Sequence, residues 1–290
     1  MTTTTPTVKI VTDSTADIPA ALARELGITV IPLLLQFGEQ VYRDQIDLSG
    51  EAFYRLLQDT PGVPTTSQPP IGQIEQIYRD LTVDGSPVVS IHVSSGLSGT
   101  YSTCALAATS IDLLPGAVQV IDSQALSMCL GWMAIFAARA ARDGRSQAEI
   151  VDLVHGLIPR VRILGVLDTL EWVQRGGRLG LASAFLGTML AIKPILHMKA
   201  GKAVPMERVR TKPKAIGRMV DLTESFGPLD GLAVVHGDDP AEAARLVDLL
   251  APIYPREQIV VSHIGPVLGS HVGPRAVGIC CVLARGSGTL

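Results

Sequence analysis

Six short segments of this chain concentrate hydroxyls, imidazoles, guanidiniums and glycines in patterns able to hold a small ligand. Asp13 to Asp17 (DSTAD) ends the run VKIVT and opens a helical pattern that continues through Pro19. Asp and Ser at such a junction either cap free amide hydrogens or meet a ligand at the strand end. Pro64 to Pro70 (PTTSQPP) reads as a rigid, hydroxyl-rich loop, with Thr66 or Ser67 just ahead of the free N–H groups of the next helix. Ser94 to Tyr101 (SSGLSGTY) has the look of a phosphate-gripping loop, yet lacks the Lys of a Walker A motif and the spacing of a dinucleotide fingerprint. Amides and Ser hydroxyls at that helix start suit a single carboxylate or phosphate.

The other three segments lie further along. Arg175 to Gly180 (RGGRLG) is either a tight reversal permitted by paired glycines or part of a binding loop. Glu207 to Ala215 (ERVRTKPKA) gathers Arg208, Arg210, Lys212 and Lys214, as a solvated basic strand end or as a landing place for a partner or phosphate. His263 to Pro274 (HIGPVLGSHVGP) reads as a shaped loop with His271 in its middle. The chain has no HExxH, no GxSxG, no close carboxylate pair on one helix and no metal-ligand spacing, so no catalytic residue and no metal is assigned.

Alternating short β-branched runs and amphipathic stretches must position these segments. In the first half the runs are Val8 to Thr12, Ile28 to Leu35, Val88 to Val93 and Val118 to Ile121. Helical patterns fall near Ile18 to Leu26, Ser49 to Gln58, Pro70 to Leu81, Ser98 to Ser110, Ser123 to Ala138 and Ser146 to Leu157. This βαβ rhythm predicts a largely parallel sheet. Two of its strands run into Asp-Ser, at Asp13-Ser14 and Asp122-Ser123, on the sheet edge where ligands bind in open α/β folds. The second half predicts a strand in RVRILGVLD, a helical segment through Val173, an apolar helix from Ala182 to Ala191, and a hairpin of Pro194 to Met198 with Ala203 to Val209. Further strands at Leu232 to His236, Gln258 to Ile264 and Gly278 to Leu283 surround a helix from Pro240 to Leu250. A boundary near Pro159 gives an N-terminal α/β domain, 1–158, and a C-terminal α/β domain, 159–290.

Composition narrows the function classes. The 290 residues are 47% hydrophobic, 18% charged and only 4% aromatic, with a net charge of -3. That excludes disorder and offers no basic field for nucleic acid. Cys104, Cys129, Cys280 and Cys281 lack zinc or redox spacing and read as buried thiols of a cytosolic protein. The start MTTTTPTVKIVTD lacks the pattern of a secretory signal. The stretch Ser123 to Ala138 falls short of the roughly 20 residues that span a bilayer, and Arg139 and Arg142 close it, so no stable membrane insertion is expected. Abundant aliphatics with few rings suit the lining of an aliphatic cavity.

Taken together, VTDSTADIP, TSQPP, SSGLSGTY, DSQALS, RGGR, KPIL, RVRT and IGPVLGSHVGP, in this order over nearly the whole chain, resemble the DegV family. The resemblance implies two α/β domains with a lipid-binding site between them, holding one long-chain fatty acid. It also implies a role as the binding subunit of a bacterial fatty acid kinase in the cytoplasm, with no cofactor. By position, the carboxylate would be held by Thr66, by Ser94 or Ser95, and by His271. Arg210, of the RT pair, would lie near the carboxylate end for phosphoryl transfer or partner contact. The chain departs from the family's usual pattern in reading GPRA, with Arg275, after the His segment, and MCLGW after DSQALS. Arg275 bears on the shape of the His segment, and Met128 with Cys129 are expected to narrow the cavity or alter acyl preference.

The physical logic of such a carrier is consistent. Each buried methylene contributes about 0.8 kcal/mol, so roughly 14 would contribute on the order of 11 kcal/mol before ordering costs. Hydroxyls and an imidazole on the head group leave a carboxylate oxygen available to attack a γ-phosphate. The sequence shows no ATP-binding apparatus, so a separate catalytic subunit would supply it. The alternative is an acyl hydrolase or transferase acting alone through Ser95 and His271.

Overall fold

The computed structural model describes residues 7–59, 62–112, 115–178 and 193–286. The structure is α/β throughout, with three sheets. Strands β1 (Lys9–Asp13), β2 (Thr29–Ile31), β6 (Val88–His92) and β7 (Val118–Asp122) form a fully parallel sheet in the order β2-β1-β6-β7. β6 is buried along its whole length, as expected of a strand covered on both faces. Asp13 and Asp122, the two echoed Asp residues, both end strands of this sheet.

The run Ile28 to Leu35 is not one strand. Pro32 has no N–H to give to a ladder, so the chain leaves the parallel sheet after β2 and starts a second one. There β3 (Leu34–Phe37) pairs antiparallel with β4 (Gln40–Arg43) and with β5 (Thr65–Ser67). The expected PTTSQPP loop therefore contains a strand: Thr66 sits opposite Leu35.

The last sheet has the order β10-β9-β8-β13-β11-β12, built from β8 (Val161–Val166), β9 (Lys193–Lys199), β10 (Lys202–Val209), β11 (Leu229–His236), β12 (Val260–His263) and β13 (Val277–Leu283). All its pairings are antiparallel except β11 with β12. The predicted hairpin turns at Ala200 and Gly201, both with positive φ. The basic segment after β10 does not stay extended, because Lys212 and Pro213 open the helix α8 (Lys212–Ser225).

Helices α1 (Ala20–Leu26), α2 (Gly50–Asp59), α3 (Ile71–Thr82), α4 (Thr100–Ser110) and α6 (Gln147–Leu157) lie close to their sequence patterns. So does α9 (Pro240–Leu250), and a short α7 (Glu171–Arg175) follows β8. The predicted helix Ala182 to Ala191 falls outside the described residues.

Helix α5 (Ser127–Arg142) is a buried core helix. It packs on β1 on one side and on β11 and β13 on the other, joining both halves in one large core. A helix sandwiched between two sheets must be apolar all round, and 13 of its 16 residues are buried. Met128 and Cys129 belong to this core, at 0% and 1% exposure. No described helix is long and apolar enough to cross a membrane.

Candidate functional site

A cavity of about 560 Å³ lies between the C-terminal edge of the parallel sheet and one face of the six-stranded sheet. Strand alternation builds its flat wall: Ile163, Gly165 and Leu167 in a row from β8, and Leu196 and Met198 from β9. His197, between them on β9, also lines the cavity, while its cross-strand partner Leu164 belongs to a different core cluster. Leu33, Val93, Leu97 and Leu126 form the facing wall, from loops that follow the parallel strands. The volume lies within the ~300–1,000 Å³ of ordinary ligand sites, and among the described residues the walls are aliphatic, without a Phe, Tyr or Trp.

Polar groups gather at one end. Thr66 Oγ1 lies 2.9 Å from His271 Nε2, although 205 residues separate them. Thr66 reaches the site from β5, and His271 from α10 (Pro266–Val272), since the segment expected to be a loop is a short helix. Pro266 stands at its first position, and Gly273, with φ +75°, ends it. His271 Nδ1 is buried and has no hydrogen-bond partner among the described residues. The tautomer that leaves fewest buried donors unpaired carries its proton on Nε2, facing Thr66. Burial, aided by the nearby Arg178 charge, pushes the His271 pKa down to about 4, so the ring is neutral at pH 7.

The two candidate serines, Ser94 and Ser95, are hydrogen-bonded away from this end. Ser94 Oγ donates to Gly201 O at 2.7 Å, tying the β9-β10 turn to the parallel sheet. Ser95 Oγ donates to Asp122. Neither lines the cavity, whereas Ser98 does, together with Thr15, Ser67 and Gln68. Ser98 lies three positions after Ser95, just ahead of α4, and the sequence offered no signal to choose among the hydroxyls of SSGLS. The Ser95–His271 pairing that a hydrolase would require is not assembled, because a nucleophile must hydrogen-bond its base and Ser95 is bonded to a carboxylate. Arg210 is exposed just beyond β10, outside the cavity lining. Arg178 lines the cavity instead, with Nη1 donating to Gly176 O at 2.6 Å.

Two buried carboxylates fix the helix that carries His271. Asp17 Oδ1 accepts from Gly265 N at 3.0 Å, and Asp44 Oδ1 from Val267 N at 3.2 Å, satisfying free N–H groups at the start of α10. Asp17 Oδ2 also accepts from Ser127 Oγ at 2.6 Å. Burial raises both carboxyls, Asp17 to about 8 and Asp44 to about 6, against the hydrogen bonds that oppose it. The second Asp of DSTAD thus positions the site from the far side of α10, a role shared by Asp44, which no motif had marked. The first Asp is bound inward: Asp13 accepts from Thr15 N at 3.1 Å and Val93 N at 2.8 Å and lies 3.1 Å from His92 Nδ1.

Arg275 takes φ +60°, a conformation that glycine adopts without strain. Its side chain is exposed, and Nε lies 3.9 Å from Asp239. It shapes the turn between α10 and β13 and does not enter the cavity. No cluster of three or more potential metal ligands occurs among the described residues.

Comparison with known proteins agrees with this architecture. Protein DegV of Bacillus subtilis is 39% identical over 277 residues, 94% of this chain and 98% of the relative. The crystal structure of DegV from Bacillus subtilis, a fatty acid binding protein, superposes with a TM-score of 0.88 at 37% identity, over 96% of this chain and all of the other. A DegV family protein from Thermus thermophilus, studied for its fatty acid binding, gives a TM-score of 0.88 at 31% identity with the same coverage. Residues 7–284 match the model of the DegV family, a family described as uncharacterised proteins, and the chain therefore belongs to the DegV family.

Proposed function

We propose that this protein is a fatty-acid carrier, which binds one long-chain fatty acid in the cavity and presents its carboxylate to a separate kinase subunit for ATP-dependent conversion to an acyl phosphate. The observation that carries this reading is the pairing of an aliphatic cavity with one polar end, where Thr66 meets a neutral His271. In this reading Thr66 and Ser98 donate to the carboxylate, and His271 supports the head-group site by giving its single Nε2 proton to Thr66 Oγ1. Neutral donors orient it without cancelling its charge, so an oxygen remains nucleophilic toward a γ-phosphate. The fatty-acid binding reported for the relatives from Bacillus subtilis and Thermus thermophilus supports the ligand class.

The two-domain division at 158/159 belongs to the same proposal, with the acyl chain held between the halves. Arg210, exposed and without a partner among the described residues, is the proposed contact for the kinase or its phosphate. Native mass spectrometry of the protein as expressed tests the ligand: a mass increment equal to a long-chain fatty acid is expected. Delipidated protein that takes up no such acid would end the proposal. Adding ATP and a fatty acid kinase catalytic subunit tests the second step, with acyl phosphate expected only when both proteins are present.

A further inference from the structure

Three glycines stand inside described strands: Gly165 on β8, Gly231 on β11 and Gly278 on β13. Packing explains two of them. A Cβ at 231 would meet the Trp132 ring at 3.1 Å, and one at 278 would meet Val235 Cγ2 at 3.0 Å and Leu164 O at 3.2 Å. Gly165 has no such reason. Its φ is not in the left-handed region, and among the described residues a Cβ there would find only Val277 O, at 3.9 Å. A glycine weakens a strand interior, and one that neither backbone nor neighbours require marks a place where something else approaches the backbone.

Gly165 is the middle member of the cavity row Ile163, Gly165, Leu167, opposite Leu196. Within the row, Gly165 leaves a gap between the side chains of Ile163 and Leu167. The wall is therefore recessed by one side chain partway along its length.

We infer that Gly165 is a specificity-determining position, whose recess takes the sideways bend of a cis-unsaturated acyl chain. The inference rests on the proposed carrier function. A straight saturated chain fills a channel of even width, whereas a cis double bond displaces the chain axis and needs lateral room where it occurs. A side chain at 165 would remove that room while leaving the polar end and the rest of the wall unchanged.

The test is a competition. Delipidated wild type, Gly165→Ala and Gly165→Val are each offered equal amounts of stearic and cis-vaccenic acid, and the bound ratio is read by native mass spectrometry. Gly165→Val is expected to shift the ratio toward stearic acid by about 10-fold, with Gly165→Ala intermediate. The alanine variant carries the test if the valine variant does not fold. An unchanged ratio, or equal loss of both acids, overturns the assignment of Gly165 alone. A wild type that binds neither acid overturns the carrier reading, and this inference with it.

Discussion

Gly176 lies flat against the imidazole of His271, so close that a Cβ at position 176 would stand 2.2 Å from Nδ1. The RGGR segment therefore contributes more than a reversal. Its first glycine lets the backbone after α7 close over the ring, which excludes water from Nδ1 and holds Nε2 toward Thr66. Gly176→Ala is expected to push the ring off this position and weaken fatty-acid binding by about 10-fold, or about 1.4 kcal/mol. Global stability should change little. Isothermal titration with a long-chain fatty acid, beside a urea midpoint, separates the two effects.

His271 should remain neutral until the pH approaches 4. Its folded pKa lies below the ordinary 6.5, so the unfolded chain binds the proton first. The neutral ring's contribution to stability is thus complete above about pH 6.5 and is lost as the pH falls toward 4. A histidine NMR titration should show one ring, absent from His271→Gln, that does not titrate between pH 5 and 8. A midpoint near 6.5 for that ring would contradict the burial argument.

Asp17 reverses the sign. Its carboxyl is raised to about 8, so between about pH 4 and 8 the folded state holds a proton that the unfolded state has released. Stability contributed by this group is present at low pH and declines as the pH rises toward 8. Asp17→Asn keeps an acceptor for Gly265 N and removes the titration. The variant is expected to lose less stability than wild type between pH 5 and 8, by on the order of 1 kcal/mol or more. Urea denaturation at the two pH values measures the difference. Asp44, raised to about 6, acts in the same direction over the lower part of this range.

Ser98 and Ser95 provide a paired control. Ser98 lines the cavity, whereas Ser95 is hydrogen-bonded to Asp122 outside it. Ser98→Ala should weaken fatty-acid binding by about 10-fold to 150-fold, the ~1.5–3 kcal/mol of one hydrogen bond to a charged group. Ser95→Ala should leave affinity within about 2-fold. The reverse order, in a fluorescent fatty-acid displacement assay, would return the head-group role to the start of the SSGLS segment.

Much of the fold was legible because local rules decided it. The helices α3, α4, α6 and α9 and the hairpin β9-β10 follow from apolar periodicity, prolines at helix starts and a Gly turn, all of which act within a few residues. Thr66 and His271 were named through the family resemblance, and their meeting at 2.9 Å is a property of the folded chain. Other features depended on partners distant in sequence. The strand character of Thr65–Ser67 exists only because Leu34 to Gln36 lies beside it. The apolar α5 gave the same sequence signal as a cavity wall, and only its place between two sheets made it core. Which hydroxyls of SSGLS face the cavity is likewise set by tertiary contacts: Ser94 and Ser95 bond to Gly201 and Asp122, whereas Ser98 lines the cavity with its Oγ 2.8 Å from Thr100 Oγ1. Residue types fixed what chemistry was available; long-range contacts decided which groups remained free for a ligand, because hydrogen-bond partners and exposure are properties of the packed chain.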